Sequence, residues 1–130
     1  MLEKFSAETL EAIFDALPLD VTFVDGDDIV RYYSKGDDRI FKRTPAVIGR
    51  RVQNCHPQFS LDKVNKVIRD LRSGKRDFAE FWIDLKGRKI YIRYFAVRNK
   101  AGKYLGILEV TQDITDIKKI EGEKRLLDVV

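Results

Sequence analysis

The chain has 130 residues, 44% of them hydrophobic and 35% charged, which is enough for one domain with its own core and too few for two ordinary ones. Its 25 basic and 21 acidic residues leave a net charge of +4 and are interleaved along the whole length, so specific nucleic-acid binding is not expected; the cluster Lys86, Arg88, Lys89 and Arg93 reads as solvated charge around a turn. The single cysteine excludes an internal disulfide framework, no apolar run is long enough to span a membrane, and the N-terminus lacks the basic-then-apolar order of a secretory signal. Together these predict a cytoplasmic domain.

In chain order, Ser6 reads as a helix cap, with Glu8 at the positive helix end. Phe5 and Leu10 take the positions of a hydrophobic staple. Leu10, Ile13, Phe14 and Leu17 follow i, i+3, i+4, i+7 spacing and form one apolar stripe. Pro18 ends this flanking helix, so it occupies residues 1–18. Val21 to Asp25 and Ile29 to Ser34 are β-branched and aromatic runs around the turn signal Gly26-Asp27-Asp28, and predict a hairpin. Lys35 to Asn54 is irregular, with a helical turn started by Thr44 and Pro45. Ser60 to Leu71 is the clearest helix, burying Leu61, Val64, Val67 or Ile68, and Leu71, and ending at Ser73-Gly74.

Three strands follow: Phe78 to Leu85, Lys89 to Arg98, and Tyr104 to Thr111, turning at Lys86-Gly87-Arg88 and Asn99 to Gly102. The first carries Phe81, Ile83 and Leu85 on one face and Phe78 and Trp82 on the other. A sheet with one face in water would alternate cleanly, so this sheet is expected to be covered on both sides. The order strand, strand, helical insert, strand, strand, strand predicts an α+β domain on a five-stranded antiparallel sheet. The core spans residues 19–115. Thr115-Asp116 starts a last helix over 116–130, with Ile117, Ile120, Lys124 and Leu127 in an a/d seam of barely two heptads.

These elements, with Val24-Asp25, Ile48-Gly49-Arg50, His56-Pro57, Ser73-Gly74-Lys75, Gly87 and the closing Gly102…Gly106…Asp113-Ile114-Thr115, resemble a PAS domain from about Ala16 to Glu121. Ser34-Lys35 departs from the pattern, since many such domains place Asn after the second strand. Asn54-Cys55-His56-Pro57 is similar to PAS modules that end longer bacterial and archaeal proteins carrying a hemerythrin-like domain. The resemblance implies a PAS fold with the helical insert on one face of the sheet. It further implies a non-enzymatic sensor that binds a small ligand or cofactor between sheet and insert. Output through the last helix and homodimerisation through flanking helices are expected, with an effector or hemerythrin-like domain as partner in a longer relative. A ligand-free interaction and dimerisation domain is the alternative.

Candidate site residues are His56, Cys55, Trp82, Arg93, Phe95, Tyr33 and Phe41. Cys55 and His56 are the only Cys and His. They admit a haem or thiol-redox sensor, against a structural His-Pro leading into the long helix. No closed metal site is expected, because four ligands at zinc spacing are missing. Side chains of consecutive residues in an extended segment point opposite ways, which disfavours a catalytic Cys-His pair. A photoreactive flavin is not expected either: His56-Pro57 stands where light-oxygen-voltage domains have Arg-Phe, and Gln112 is placed at the end of the last strand. Arg93 in the fourth strand reads as an anion-binding residue or as the cross-strand partner of Glu80, Glu109 or Asp84. Trp82, Phe95, Tyr33 and Phe41 read as pocket lining or plain core.

Overall fold

The first helix is capped as its sequence requires. In the computed structural model, which describes residues 1–130, Ser6 accepts a 3.1 Å hydrogen bond from the Thr9 amide, and helix α1 runs Ala7–Ala16. Leu17 closes it in an extended conformation just before Pro18.

Strand β1 (Asp20–Asp25) and strand β2 (Val30–Tyr33) form the expected hairpin. Asp25 builds its turn: Oδ1 accepts from the Asp27 and Ile29 amides at 2.9 and 3.0 Å. The insert between Ser34 and Leu61 contains only short 3-10 turns, Pro45–Val47, Val52–Cys55 and Gln58–Ser60. Helix α2 (Leu61–Ser73) follows and ends at Gly74, whose φ of 82° is the left-handed C-terminal stop. Ser60 does not cap α2. Its hydroxyl donates to the Pro57 carbonyl at 3.0 Å, because Ser60 is already the last residue of the preceding 3-10 turn.

Strands β3 (Phe78–Leu85), β4 (Arg88–Arg98) and β5 (Tyr104–Asp113) complete one antiparallel sheet of order β2-β1-β5-β4-β3. β5 is two residues longer than the sequence predicts. Gln112 and Asp113 still pair with Tyr91 and Ile90, so Gln112 lies inside the strand.

The register sorts the side chains by face. Thr22, Ile107, Glu109, Ile92, Tyr94 and Phe81 share the inner face, and Phe23, Leu108, Arg93, Phe95 and Trp82 share the outer one. The insert covers the inner face. Ile68, Leu71 and Ile107 form the centre of the core, with Val52, Val64, Tyr94 and Tyr104 packed around them. A partly buried ion pair fixes α2 in place: Arg72 Nη2 lies 2.5 Å from Asp28 Oδ1 in the β1–β2 turn. On the outer face α1 covers the β2 side. Phe14 packs on Tyr32 at 5.6 Å, and Asp15 accepts from the Lys35 amide at 2.8 Å. Phe78 and Trp82, at the β3 edge, remain open.

The expected C-terminal helix over 116–130 is absent. Residues after Asp113 form two 3-10 turns, Ile117–Lys119 and Leu126–Val129, and Gly122 at φ 63° separates them. The physical reason is that Thr115 is not free to cap a helix. Its Oγ1 accepts from the Lys89 amide at 2.8 Å and donates to Asp113 Oδ1 at 2.6 Å. The a/d seam also has nothing to pack on, leaving Ile117, Ile120 and Leu127 exposed, and a segment this short does not hold a helix alone. No helix of the structure is long and apolar enough to cross a membrane.

Candidate functional site

Between α2 and the inner face of the sheet lies a cavity of about 420 Å³, within the size range of small-molecule sites. Val64, Val67 and Ile68 of α2 form one wall, and Val24, Ile107 and Phe81 of the sheet form the other. The pattern of α2 explains this arrangement: the residues three and four apart that bury its stripe also face the sheet. Polar side chains are few and belong to His56, Ser60, Lys63, Arg76, Tyr94 and Glu109.

Three of them define the chemistry of the interior. His56 sits in the segment leading into α2, and its Nδ1 is 2.9 Å from the Val52 carbonyl. A carbonyl only accepts, so Nδ1 carries the proton, and in the neutral ring Nε2 is an acceptor. Glu109 stands on β5 opposite Tyr94 of β4. Its carboxylate has one ion pair, to Arg43 Nη2 at 3.6 Å. Burial, followed by the charge of Glu109, pushes the Tyr94 hydroxyl well above the ordinary tyrosine range, so Tyr94 is a neutral hydroxyl at any physiological pH.

The seven residues selected from the sequence separate here. Only His56 lines the cavity. Cys55 is half-buried beside it, with Sγ 3.9 Å from the Arg51 carbonyl. Tyr33 lies under the Arg39 guanidinium at 5.6 Å, and the Phe41 carbonyl accepts from Arg39 Nε at 3.2 Å; both belong to the packing of the loop after β2.

Trp82, Arg93 and Phe95 are on the outer face, away from the insert. Alternation along each strand makes this unavoidable: Trp82 and Phe81 are neighbours in sequence, and Phe81 points inward. Arg93 does stand opposite Glu80, but the pair does not form. The Glu80 carboxylate takes the Tyr91 hydroxyl. Arg93 stacks on the Tyr91 ring at 4.5 Å and donates to Gln112 Oε1 at 3.3 Å. Gln112 therefore also faces outward, on the side of the sheet away from the cavity. No three His, Cys, Asp or Glu side chains stand together as a metal-binding group.

The cavity residues Glu109 and Tyr94 were missed by sequence reading. The available signal was a Glu in the middle of an apolar strand, Ile107-Leu108-Glu109-Val110, paired in register with a tyrosine of the next.

The strand carrying Glu109 ends at a second polar cluster. Asp113, four residues on and on the same face, accepts from Arg88 Nε at 2.7 Å, from the Thr115 amide at 3.0 Å and from Thr115 Oγ1. The Arg88 hydrogen bond, followed by those from Thr115, holds the Asp113 carboxyl down at about 2. Arg88 also reaches Asp116 at 3.3 Å. The junction between β5 and the C-terminal segment is thus bolted to the start of β4.

A family model described as a PAS domain matches residues 10–115. Among solved structures, the C-terminal domain of a Streptococcus mutans protein is 42% identical, with a TM-score of 0.83 over 90% of this chain and 91% of that one. The PAS domain of BvgS from Bordetella pertussis has a TM-score of 0.62 at 17% identity, over 86% of this chain and 88% of that one. A sensory box sensor histidine kinase from Vibrio cholerae gives 0.57 at 14%, over 83% and 91%. The curated proteins contain no match. The five-stranded antiparallel sheet with its helical insert is the PAS fold, and the chain belongs to the PAS domain family.

Proposed function

We propose that this domain is a sensory module that binds a small molecule in the cavity between α2 and the sheet and passes its occupancy to the segment after Asp113. One observation carries the reading. Glu109 in the cavity and Asp113 at the output junction share β5 and its inner face, about 14 Å apart for four extended residues. A ligand that shifts Glu109 acts on a strand whose far end is held by Arg88. The sensor kinases with a similar fold support the sensory class, and the Streptococcus mutans relative, a C-terminal domain of its protein, supports a place beside a further domain; a hemerythrin-like identity for that domain rests on the Asn54-Cys55-His56-Pro57 resemblance alone.

The test uses protein purified from its native host. A small molecule is expected to co-purify with the wild type and to be lost from Ala79→Trp, which fills the cavity from β3. Stripping that molecule is expected to shift the amide resonances of Asp113, Ile114 and Thr115. Wild-type protein that is empty under every condition would sink the proposal, and so would a loaded protein whose junction resonances do not respond. Hemin is the control for the haem alternative: an absorption band that depends on His56 would replace the small-molecule reading, since Nε2 is the one ring nitrogen free to ligate.

The open part of the outer face supports a second reading, a homodimer. Trp82 is 61% exposed beside Phe78 at 49%, and Arg93 is sandwiched between the Tyr91 and Phe95 rings. Trp, Tyr and Arg on one face are the composition of an interface centre. At the opposite, β2 edge of the sheet, Ile13 and Leu17 of α1 are exposed as well. Trp82→Glu is expected to convert a dimer to a monomer in sedimentation equilibrium. A wild type that is monomeric at every concentration would remove this reading.

A further inference from the structure

Burial and hydrogen bonding disagree at Glu109. The residue is 9% exposed, and a carboxylate so far out of water requires donors around it. Its ion pair with Arg43 is 3.6 Å long, beyond hydrogen-bond length, and no hydrogen bond of the structure ends on its oxygens. The carboxylate lines the cavity, so its unused acceptor capacity is directed where a ligand would sit. The His56 ring lines the same space: with Nδ1–H committed to the Val52 carbonyl, Nε2 is its free nitrogen. The Tyr94 hydroxyl is the third polar group, able to donate or accept. Most of the remaining wall is aliphatic or aromatic, with Ser60, Lys63 and Arg76 as its other polar side chains.

We propose that the cavity takes an apolar-bodied ligand bearing a hydrogen-bond donor, an amine or a hydroxyl, and that Glu109 receives this donor. The proposal rests on the cavity being a ligand site. A carboxylate-headed ligand of the same size is disfavoured, because its charge would meet that of Glu109 within the same cavity. Arg76, the guanidinium of the lining, is already paired with Asp70 at 3.3 Å. Lys63 remains as the one cation of the lining without an ion pair, and an acid would have to pair with it.

Three probes with one apolar body separate these outcomes: n-octylamine, 1-octanol and octanoate, titrated into the full chain by calorimetry with amide resonances mapped in parallel. Octylamine and octanol are expected to bind and to shift Glu109, Tyr94 and Ile107, with octanoate weaker by about tenfold or more. Glu109→Gln keeps the shape and removes the charge; it should weaken octylamine by about tenfold and change octanol by less than about threefold. Octanoate binding as tightly as octylamine would overturn the donor assignment and leave the cavity as a ligand site. Octylamine affinity unchanged in Glu109→Gln would overturn the role of Glu109 alone. Absence of binding by all three probes would overturn both the donor assignment and the cavity reading beneath it.

Discussion

Replacing Gly106 by alanine is expected to leave the domain unfolded or destabilised by more than about 4 kcal/mol, a loss comparable to the whole stability of many domains. Gly106 lies in the central strand β5, opposite Asp25 of β1 and Val97 of β4. A Cβ there would sit 2.1 Å from the Val24 carbonyl oxygen, 2.9 Å from the Phe23 ring and 3.0 Å from the Asp25 Cα. Two of these contacts are backbone, so no rotamer change relieves them. Relief requires β1 to separate from β5, and the pairing of those strands holds the hairpin to the rest of the sheet. The φ of 151° adds strain that only glycine avoids.

Gly87, in the β3–β4 turn, is the matched control. Its φ of 78° also favours glycine, but a Cβ would meet nothing within 4 Å, so alanine there costs only the local strain of about 1 kcal/mol. Urea unfolding of the two variants measures the difference. Similar midpoints for Gly106→Ala and the wild type would show that β1 and β5 can part without cost and would refute this account of the strand pair.

The same glycine marks what the sequence makes legible. Turns and strands announce themselves through local chemistry: Asp25 before Gly26, Asn99 before Gly102, β-branched runs between them. Helix α2 does so through its stripe and its terminal glycine. Strand alternation was legible too, yet it was not carried through to the site. Trp82, Arg93 and Phe95 attract attention as an aromatic and cationic set, and they do cluster, but on the outer face. Which face the insert covers depends on contacts between residues far apart in the chain, such as Asp28 with Arg72, and no local pattern encodes these.

The C-terminal helix shows the opposite error. A local heptad pattern was present, but Thr115 is used by the sheet, and the seam has no surface to bury. His56 was found because it is unique. Glu109 was read only as a cross-strand partner for Arg93, because a single acid in a strand is ordinarily a solvated residue, and only the register with Tyr94 brings it indoors.

Arg39 is the other residue that sequence alone passed over, and its removal is expected to have the second-largest effect. It follows β2 in the irregular insert, yet it is 5% exposed. Its guanidinium donates to the Val21 carbonyl at 3.1 Å, the Ser34 carbonyl at 2.9 Å, the Thr22 hydroxyl at 3.0 Å and the Phe41 carbonyl at 3.2 Å. Burial lowers its pKa, with the charge of Asp20 opposing the shift, and a guanidinium remains protonated even so. One side chain thus ties both ends of the loop 34–41 to β1. Ser34, where the family pattern commonly has Asn, takes part: its hydroxyl accepts from the Val21 amide at 2.9 Å.

Arg39→Ala strands several buried acceptors and opens a void, and is expected to cost about 3 kcal/mol or more. Arg39→Lys keeps the charge but not the planar fork, so it restores only part of the loss, leaving about 1–2 kcal/mol. Arg43→Ala removes the 3.6 Å pair to Glu109 and no hydrogen bond of the loop, and should cost less than Arg39→Ala. Hydrogen exchange adds a readout specific to the loop: the Ser34 and Ile40 amides, bonded to Val21 and to Asp20, should lose protection in Arg39→Ala before those of β4 and β5. If both Arg39 variants unfold within about 0.5 kcal/mol of wild type, the loop is held by its backbone alone, and the insert would then keep its place over the cavity without the arginine.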